Sequence, residues 1–408
     1  MADFQQNGNI AQFHDLRNRP LDELEYRLET FAQTRKISLI LPSLYSELEG
    51  PALGNILDEL AKVKYLHRII IGLDAADAAQ FRAARAFFAR LPQTHVVLWN
   101  DGPRMRALME RLDPLGLGPI EPGKGRNVWG CIGYLIACAD SAVMAIHDCD
   151  ITTYERGMLS RLVYPVAHPA FPYHLSKGFY PRIGNNRMGG RVTRNLVSPL
   201  LISLKKVIGD RDYIDYLRAF RYPLSGEFAM RTATLPDLRM PSDWGLEIGV
   251  LSEAWRNLGP RAVCQVEIAD RYDHKHQDLS PEDVQGGLSR MSMDICKAIF
   301  RKLAADGTVF SANVFRTLKA TYYRRALDML DVYHHDATMN GLAFDRHAEE
   351  RSIALFAENI MQAGQVFLDN PQELPFIPNW NLVHAADPDF MNDFKAAVAA
   401  DTAEYAPA

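Results

Sequence analysis

Cysteine is scarce and scattered: Cys131, Cys138, Cys149, Cys264 and Cys296 are the five in 408 residues, and no two form a C-x-x-C pair. An odd, dispersed set is poor material for a disulfide framework or a thiolate zinc site, and it suits a reducing compartment, so a cytoplasmic protein is expected. Long apolar runs are missing too. The most apolar stretch, Tyr134 to Ile146, is short and interrupted by Asp140, and Met1 to Asp15 is polar, which leaves no membrane span and no export signal to expect. Nor is there an excess of positive charge. A formal net charge of -5 and a charged fraction of 23% give no general attraction to nucleic acid or to an anionic membrane. Any anion bound here must be held by a local patch.

What is present is apolar material, 48% of the chain, enough for a Rossmann-sized domain with an elaboration. Leu21, Leu24, Leu28 and Phe31 recur at helical spacing behind Pro20, so residues 1–35 read as an N-terminal helical segment. Strands and helices then alternate: strand Ile37 to Leu41, a helix bearing Leu53, Ile56, Leu57, Leu60 and Val63, strand His67 to Leu73, helix Ala75 to Leu91, strand Val96 to Trp99, helix Arg104 to Leu112, helix Asn127 to Ala139 and strand Ala142 to Ile146. Such alternation predicts an α/β fold, a Rossmann-like domain over 36–152 with a mostly parallel central sheet, and ligands beyond the carboxyl ends of its strands. The polar residues after each strand are therefore the ones to inspect: Pro42 to Glu47, Leu73 to Asp77, Asn100 to Gly102 and His147 to Asp150. Residues 153–280 lose the alternation and are rich in Pro, Tyr and Arg, which suits an acceptor-binding region. Residues 281–408 are expected to be C-terminal helices ending in a loosely ordered, acidic tail.

Three groupings carry chemistry. Asp148-Cys149-Asp150 directly follows a buried strand, and two carboxylates two residues apart can place a hard divalent cation, Mg²⁺ or Mn²⁺, against a diphosphate. Gly123-Lys124-Gly125 lets backbone approach a ligand while the lysine offers a point charge to phosphate; Gly125 stands where a P-loop needs Ser or Thr, so P-loop chemistry is disfavoured. Lys177, Arg182, Arg187, Arg191 and Arg194 gather around Gly189-Gly190 and suggest capture of a phosphate or carboxylate. Glu227, Glu247 and His274 stand apart from these; His274 follows the strand Ala262 to Ile268 and can complete a cation's coordination with Asp150. His334 and His335 read as residues at a helix end.

Taken in order, Leu41 to Leu44, Pro122 to Gly125, Asp148-Cys149-Asp150, Gly189 to Thr193, Pro223 to Glu227, Gly245 to Gly249 and the His274 region resemble the glucosyl-3-phosphoglycerate synthases, retaining glycosyltransferases with a GT-A nucleotide-sugar domain. The resemblance spans roughly Ile37 to Leu279. It implies transfer of glucose from a nucleotide-diphosphate glucose to 3-phosphoglycerate with a divalent cation, by a homodimer. It also implies roles: Pro42, Ser43, Leu44, Glu47 and Asp74 around the nucleotide, with Lys124, Asp148 and Glu227 toward the diphosphate and sugar; Asp150 and His274 on the metal; Gly190, Arg191, Thr193 and His276 on the acceptor. Glu247 is implied to hold sugar hydroxyls, Arg271 a leaving-group phosphate, and the Leu224 carbonyl to face the anomeric carbon. A covalent route through Glu227 or Glu247 is the competing path to retention. Ser225 where glycine is usual, the longer Arg271-to-His274 spacing, His276 in place of asparagine and Tyr45-Ser46 in place of Asn-Glu depart from the family pattern. Mannosyl transfer, glycerate as acceptor, nucleotidyl transfer and a non-catalytic nucleotide-sugar sensor stay open at this point.

Overall fold

In the computed structural model, residues 9–118, 120–274, 287–371 and 376–406 are described. An eight-stranded sheet organises them, in the order Ala11–Phe13, Val263–Glu267, Leu175–Phe179, Phe228–Arg231, Val143–Ile146, Ile37–Leu44, Leu66–Asp74, His95–Trp99. Phe228–Arg231 is antiparallel to both neighbours and every other pairing is parallel. The expected mostly parallel α/β sheet is therefore found.

Parallel strands covered on both faces need apolar side chains on both, and these strands supply them. Ile40, Ile70 and Met144 join the core on one face with the helices Lys124–Cys138, Ser198–Ile208 and Leu246–Asn257. Leu39, Leu41, Ile69, Ile71 and Val143 join the core on the other with Leu21–Ala32, Pro51–Leu60, Ala78–Phe88 and Arg156–Ala167. The helix expected from Ala75 starts at Ala78. Ala75 takes a left-handed φ of 55°, and Asp77 and Gln80 form a capping box that fixes the start.

Two expectations need correction. The N-terminal segment is not only a helix, because Ala11–Phe13 pairs with Val263–Glu267 as a sheet edge. The tail is not loosely ordered: Phe390–Glu404 is a helix that packs on the first half of the chain. Arg104 pairs with Asp401 and Glu404 there, Arg111 with Asp387 and Asp393, and Tyr405 meets Trp99 edge-on at 5.2 Å between ring centroids. Its acidic residues are thus ion-pair partners. The sheet also runs without a break across position 152, since residues 153–280 contribute three of its strands, and the 280/281 boundary lies outside the described residues. Among the described residues no helix is long and apolar enough to cross a membrane.

Candidate active site

The carboxyl ends of the parallel strands open onto a cleft of about 880 Å³, whose lining includes Lys124, Asp148, Leu224, Glu247 and His274 together with Arg182, Arg187, Gly190 and Arg191. Residues from four separate sequence groupings thus share one space.

The two carboxylates of the D-x-D segment divide their work. Asp148 receives Lys124 Nζ at 2.8 Å, and the same ammonium lies 3.2 Å from Glu247 Oε1. Burial pushes the Asp148 carboxyl up, but Lys124 together with His274 and His147 holds the group below its usual range. Burial likewise acts against the Lys124 ammonium, and Asp148 and Glu247 more than compensate and raise it. Gly226 makes this packing possible, because a Cβ there would stand 2.5 Å from Asp148 Oδ2. Gly125 has a similar reason: a Cβ would meet the Pro241 carbonyl at 2.2 Å.

Asp150 turns instead to His274, with Oδ2 3.2 Å from Nδ1. A backbone zipper sets this pair: Ile151 bridges His274, and Thr152 N donates to the Asp273 carbonyl at 3.0 Å. Asp150 Oδ1 is buried without a hydrogen-bond partner. A carboxylate oxygen left this way beside an imidazole suits a hard divalent cation, so the residues fit the Mg²⁺ or Mn²⁺ that was expected. His147, next in line, is fully buried and absent from the cleft lining, and burial lowers its imidazole to about 3, which keeps it neutral.

Other expected residues fall elsewhere. Glu227 lies beneath the cleft floor and does not line it; it is fully buried, accepts from Tyr180, from Tyr272 at 2.7 Å and from Ser225 at 3.1 Å, and carries a carboxyl raised first by burial and next by Asp148. It was expected as a nucleotide-sugar contact and stands apart from the lining residues, and a nucleophilic route through it loses its access. The Tyr180 and Tyr272 rings that it anchors are stacked at 3.7 Å. Arg271 is exposed and outside the cleft lining. In extended backbone neighbours face opposite sides, so burying Tyr272 sends Arg271 outward. Arg182 from the adjacent segment lies over Tyr272 instead, 5.4 Å from its centroid.

The cation cluster also divides. Arg182, Arg187 and Arg191 line the cleft, whereas Arg194 is spent on the Gly189 and Met188 carbonyls and on Glu349. Lys177 is 1% exposed and donates to the Ser225 carbonyl below the floor. Gly190 meets its turn with φ 70°. Thr193 is buried behind the lining, its hydroxyl without a hydrogen-bond partner, at the start of the π-helical stretch Thr193–Val197. His276 lies outside the described residues.

Pro42, Ser43, Leu44, Glu47 and Asp74 stand on a neighbouring ledge at the carboxyl ends of the strands, where Leu44 pairs in register with Asp74. Asn100 donates to Asp74 at 2.8 Å, and burial raises the Asp74 carboxyl against the pull of Arg126. His334 and His335 lie near the end of Ala312–Met339, away from the cleft, as expected. Sequence reading missed the contribution of the apolar face Leu288, Met291 and Ile295 to the cleft wall; their i, i+3, i+7 spacing was visible but pointed equally to plain core.

Lys177 yields a pH prediction. Burial pulls its ammonium down to about 8, against Glu247 and Glu227. Above pH about 8 the unfolded chain still binds this proton while the folded one releases it, so unfolding free energy gains a rising contribution until the ordinary lysine range is passed. Denaturant unfolding at pH 7 and 9.5 should show that gain in the native protein and less of it in Lys177→Met; equal pH dependence in the two would refute the assignment.

A D-x-D edge on a nucleotide-type parallel sheet, sharing a cleft with an arginine-lined pocket, defines a metal-dependent glycosyltransferase of the GT-A class. No family model matches the chain. Whole-chain relatives do: it is 42% identical over 404 residues to the glucosyl-3-phosphoglycerate synthase of Persephonella marina, covering 99% of this chain and 100% of that one, and 35% identical to that of Methanococcoides burtonii, covering 94% and 95%. The chain belongs to the glucosyl-3-phosphoglycerate synthase family. Its fold is also similar to the Mycobacterium tuberculosis glucosyl-3-phosphoglycerate synthase solved with Mn²⁺, UDP and phosphoglyceric acid, at TM-score 0.51 and 23% identity over 74% of this chain and 88% of that one. The mannosyl-3-phosphoglycerate synthase of Rubrobacter xylanophilus aligns at TM-score 0.53 and 18% identity, over 74% and 83%.

Proposed function

We propose that this enzyme transfers glucose from a nucleotide-diphosphate glucose to 3-phosphoglycerate, with retention at the anomeric carbon. The observation that carries the reading is the shared cleft, in which Asp148, His274 and Lys124 line the same space of about 880 Å³ as Arg191. The names of the two near-full-length relatives support the same donor and acceptor.

Asp150 and His274 hold the divalent cation, which when bound neutralises charge on the departing diphosphate. Lys124 faces the diphosphate or sugar and Glu247 the sugar hydroxyls, while the ledge from Pro42 to Glu47 with Asp74 receives base and ribose. Arg191 and Gly190 grip the acceptor's anionic groups, with Thr193 behind them, and His276 belongs to the same grip. Retention follows from front-face attack, in which the acceptor hydroxyl enters beside the leaving phosphate, a phosphate oxygen takes its proton and the Leu224 carbonyl faces the anomeric carbon. Two facts favour this over a covalent route: Glu227 is buried beneath the floor, and Glu247 is paired with Lys124.

The direct test is product formation from UDP- or GDP-glucose with 3-phosphoglycerate, with a chelator arm and with UDP- or GDP-mannose and glycerate as alternatives. A chelator-sensitive glucosyl-phosphoglycerate product with the anomeric configuration of the donor is expected. Pyrophosphate release, or donor binding without transfer to any acceptor, would overturn it.

A cytoplasmic location and a homodimer complete the proposal. Val332 and Met339, exposed on one side of Ala312–Met339, support the second, and sedimentation of the full chain measures it.

A further inference from the structure

The helices after residue 287 were left without a role by the sequence, yet one of their carboxylates reaches the acceptor arginines. Glu349, in the first turn of Arg346–Asp369, is 7% exposed. Its Oε1 lies 3.2 Å from Arg194 Nη2 and 3.7 Å from Arg191 Nε, its Oε2 lies 3.3 Å from Arg194 Nη1, and Asn195 donates to the same carboxylate. Arg191 and Arg194 are three residues apart on one helical face, so without an anion between them two guanidiniums would repel at close range in a poorly solvated place. Glu349 is that anion.

The two arginines use it differently. Arg194 is saturated, with the Gly189 and Met188 carbonyls and the Tyr333 ring as further partners. Arg191 is one-third exposed and lines the cleft; its Nε is buried, and Glu349 is its one ion-pair partner among the described residues. A planar guanidinium leaned on a carboxylate by its Nε edge keeps its two terminal nitrogens for another anion. Other links hold the same helices to this rim: Ala343 N donates to the Asn186 carbonyl at 2.8 Å, and Tyr322 donates to the Asn195 carbonyl.

We propose that Glu349 is a positioning residue for acceptor recognition, acting through Arg191, and that the C-terminal helices thereby complete the acceptor pocket. This rests on Arg191 being the acceptor cation. Glu349 touches neither donor nor reacting atoms, so its removal should change acceptor KM and leave donor KM alone.

The test is steady-state transfer with the full-length, cation-loaded enzyme. Glu349→Gln, which keeps size but removes the charge and turns one of two accepting oxygens into a donor, should raise KM for 3-phosphoglycerate about tenfold, the scale of one oriented charge contact, while KM for the sugar nucleotide shifts less than twofold. In an Arg191→Ala background the same change should add less than twofold, because the residue it acts through is gone. An unchanged or lowered acceptor KM, or a full tenfold effect on top of Arg191→Ala, would overturn the proposal. If Glu349→Gln does not fold, Glu349→Asp keeps the charge and withdraws it by one methylene; a raised acceptor KM with unaltered donor KM supports the role, and a native acceptor KM refutes it. Failure of the native enzyme to use 3-phosphoglycerate at all would instead strike the proposed function.

Discussion

Asp150→Ala is expected to lower kcat/KM for transfer by about 10²–10³-fold, the largest single effect, because it deletes the buried, unpartnered carboxylate oxygen of the residue that pairs with the cleft-lining His274. The loss should appear mainly as lost response to Mg²⁺ or Mn²⁺, read as activity against cation concentration and as direct Mn²⁺ binding by electron paramagnetic resonance. Asp148→Ala differs in kind. It strands Lys124 between one remaining carboxylate and the cleft, so it should weaken donor binding while Mn²⁺ still binds at Asp150. Native turnover in Asp150→Ala would remove the metal assignment.

Arg191→Ala should be next in size, raising KM for 3-phosphoglycerate by about 10- to 100-fold, the equivalent of one charge-assisted hydrogen bond of about 1.5–3 kcal/mol. Donor KM and slow donor hydrolysis should stay close to native, since Lys124, Asp148 and Glu247 are left as they were. Lysine is a poor replacement here, because a point charge cannot offer two parallel donors to an anion from a planar group set beside Glu349. An equal rise in donor and acceptor KM would mean that Arg191 serves the cleft generally and not the acceptor.

The strand-helix alternation from Ile37 to Ile146 was legible because parallel strands buried on both faces have to be apolar at successive positions, and here they are. Leu175–Phe179 was harder to see, since Ser176 and Lys177 interrupt it and Lys177 is buried only by virtue of the distant Ser225 carbonyl. Phe228–Arg231 hid for a different reason: it is four residues long and runs against its neighbours. In the cleft, the Asp150–His274 pair followed from the strand end and the family pattern, and the zipper between Ile151 and His274 gives its cause. The burial of Glu227 was hidden because a glutamate next to Gly226 reads as polar and accessible. Two tyrosines from distant segments turn it inward, and no local pattern announces them. The division of labour between Arg191 and Arg194 depends on Glu349, more than 150 residues away, and was equally invisible.

The placement of the last helix has a consequence for how the molecule is made. Phe390–Glu404 covers the margin of the sheet at His95–Trp99, and the opposite margin is not formed until Val263–Glu267 exists to receive Ala11–Phe13. During synthesis the half over 36–152 therefore emerges with its His95–Trp99 flank bare until Phe390–Glu404 follows, and with its Val143–Ile146 edge unpaired until Phe228–Arg231 does. Loss of a short terminal stretch would then cost yield in the cell out of proportion to the surface it removes.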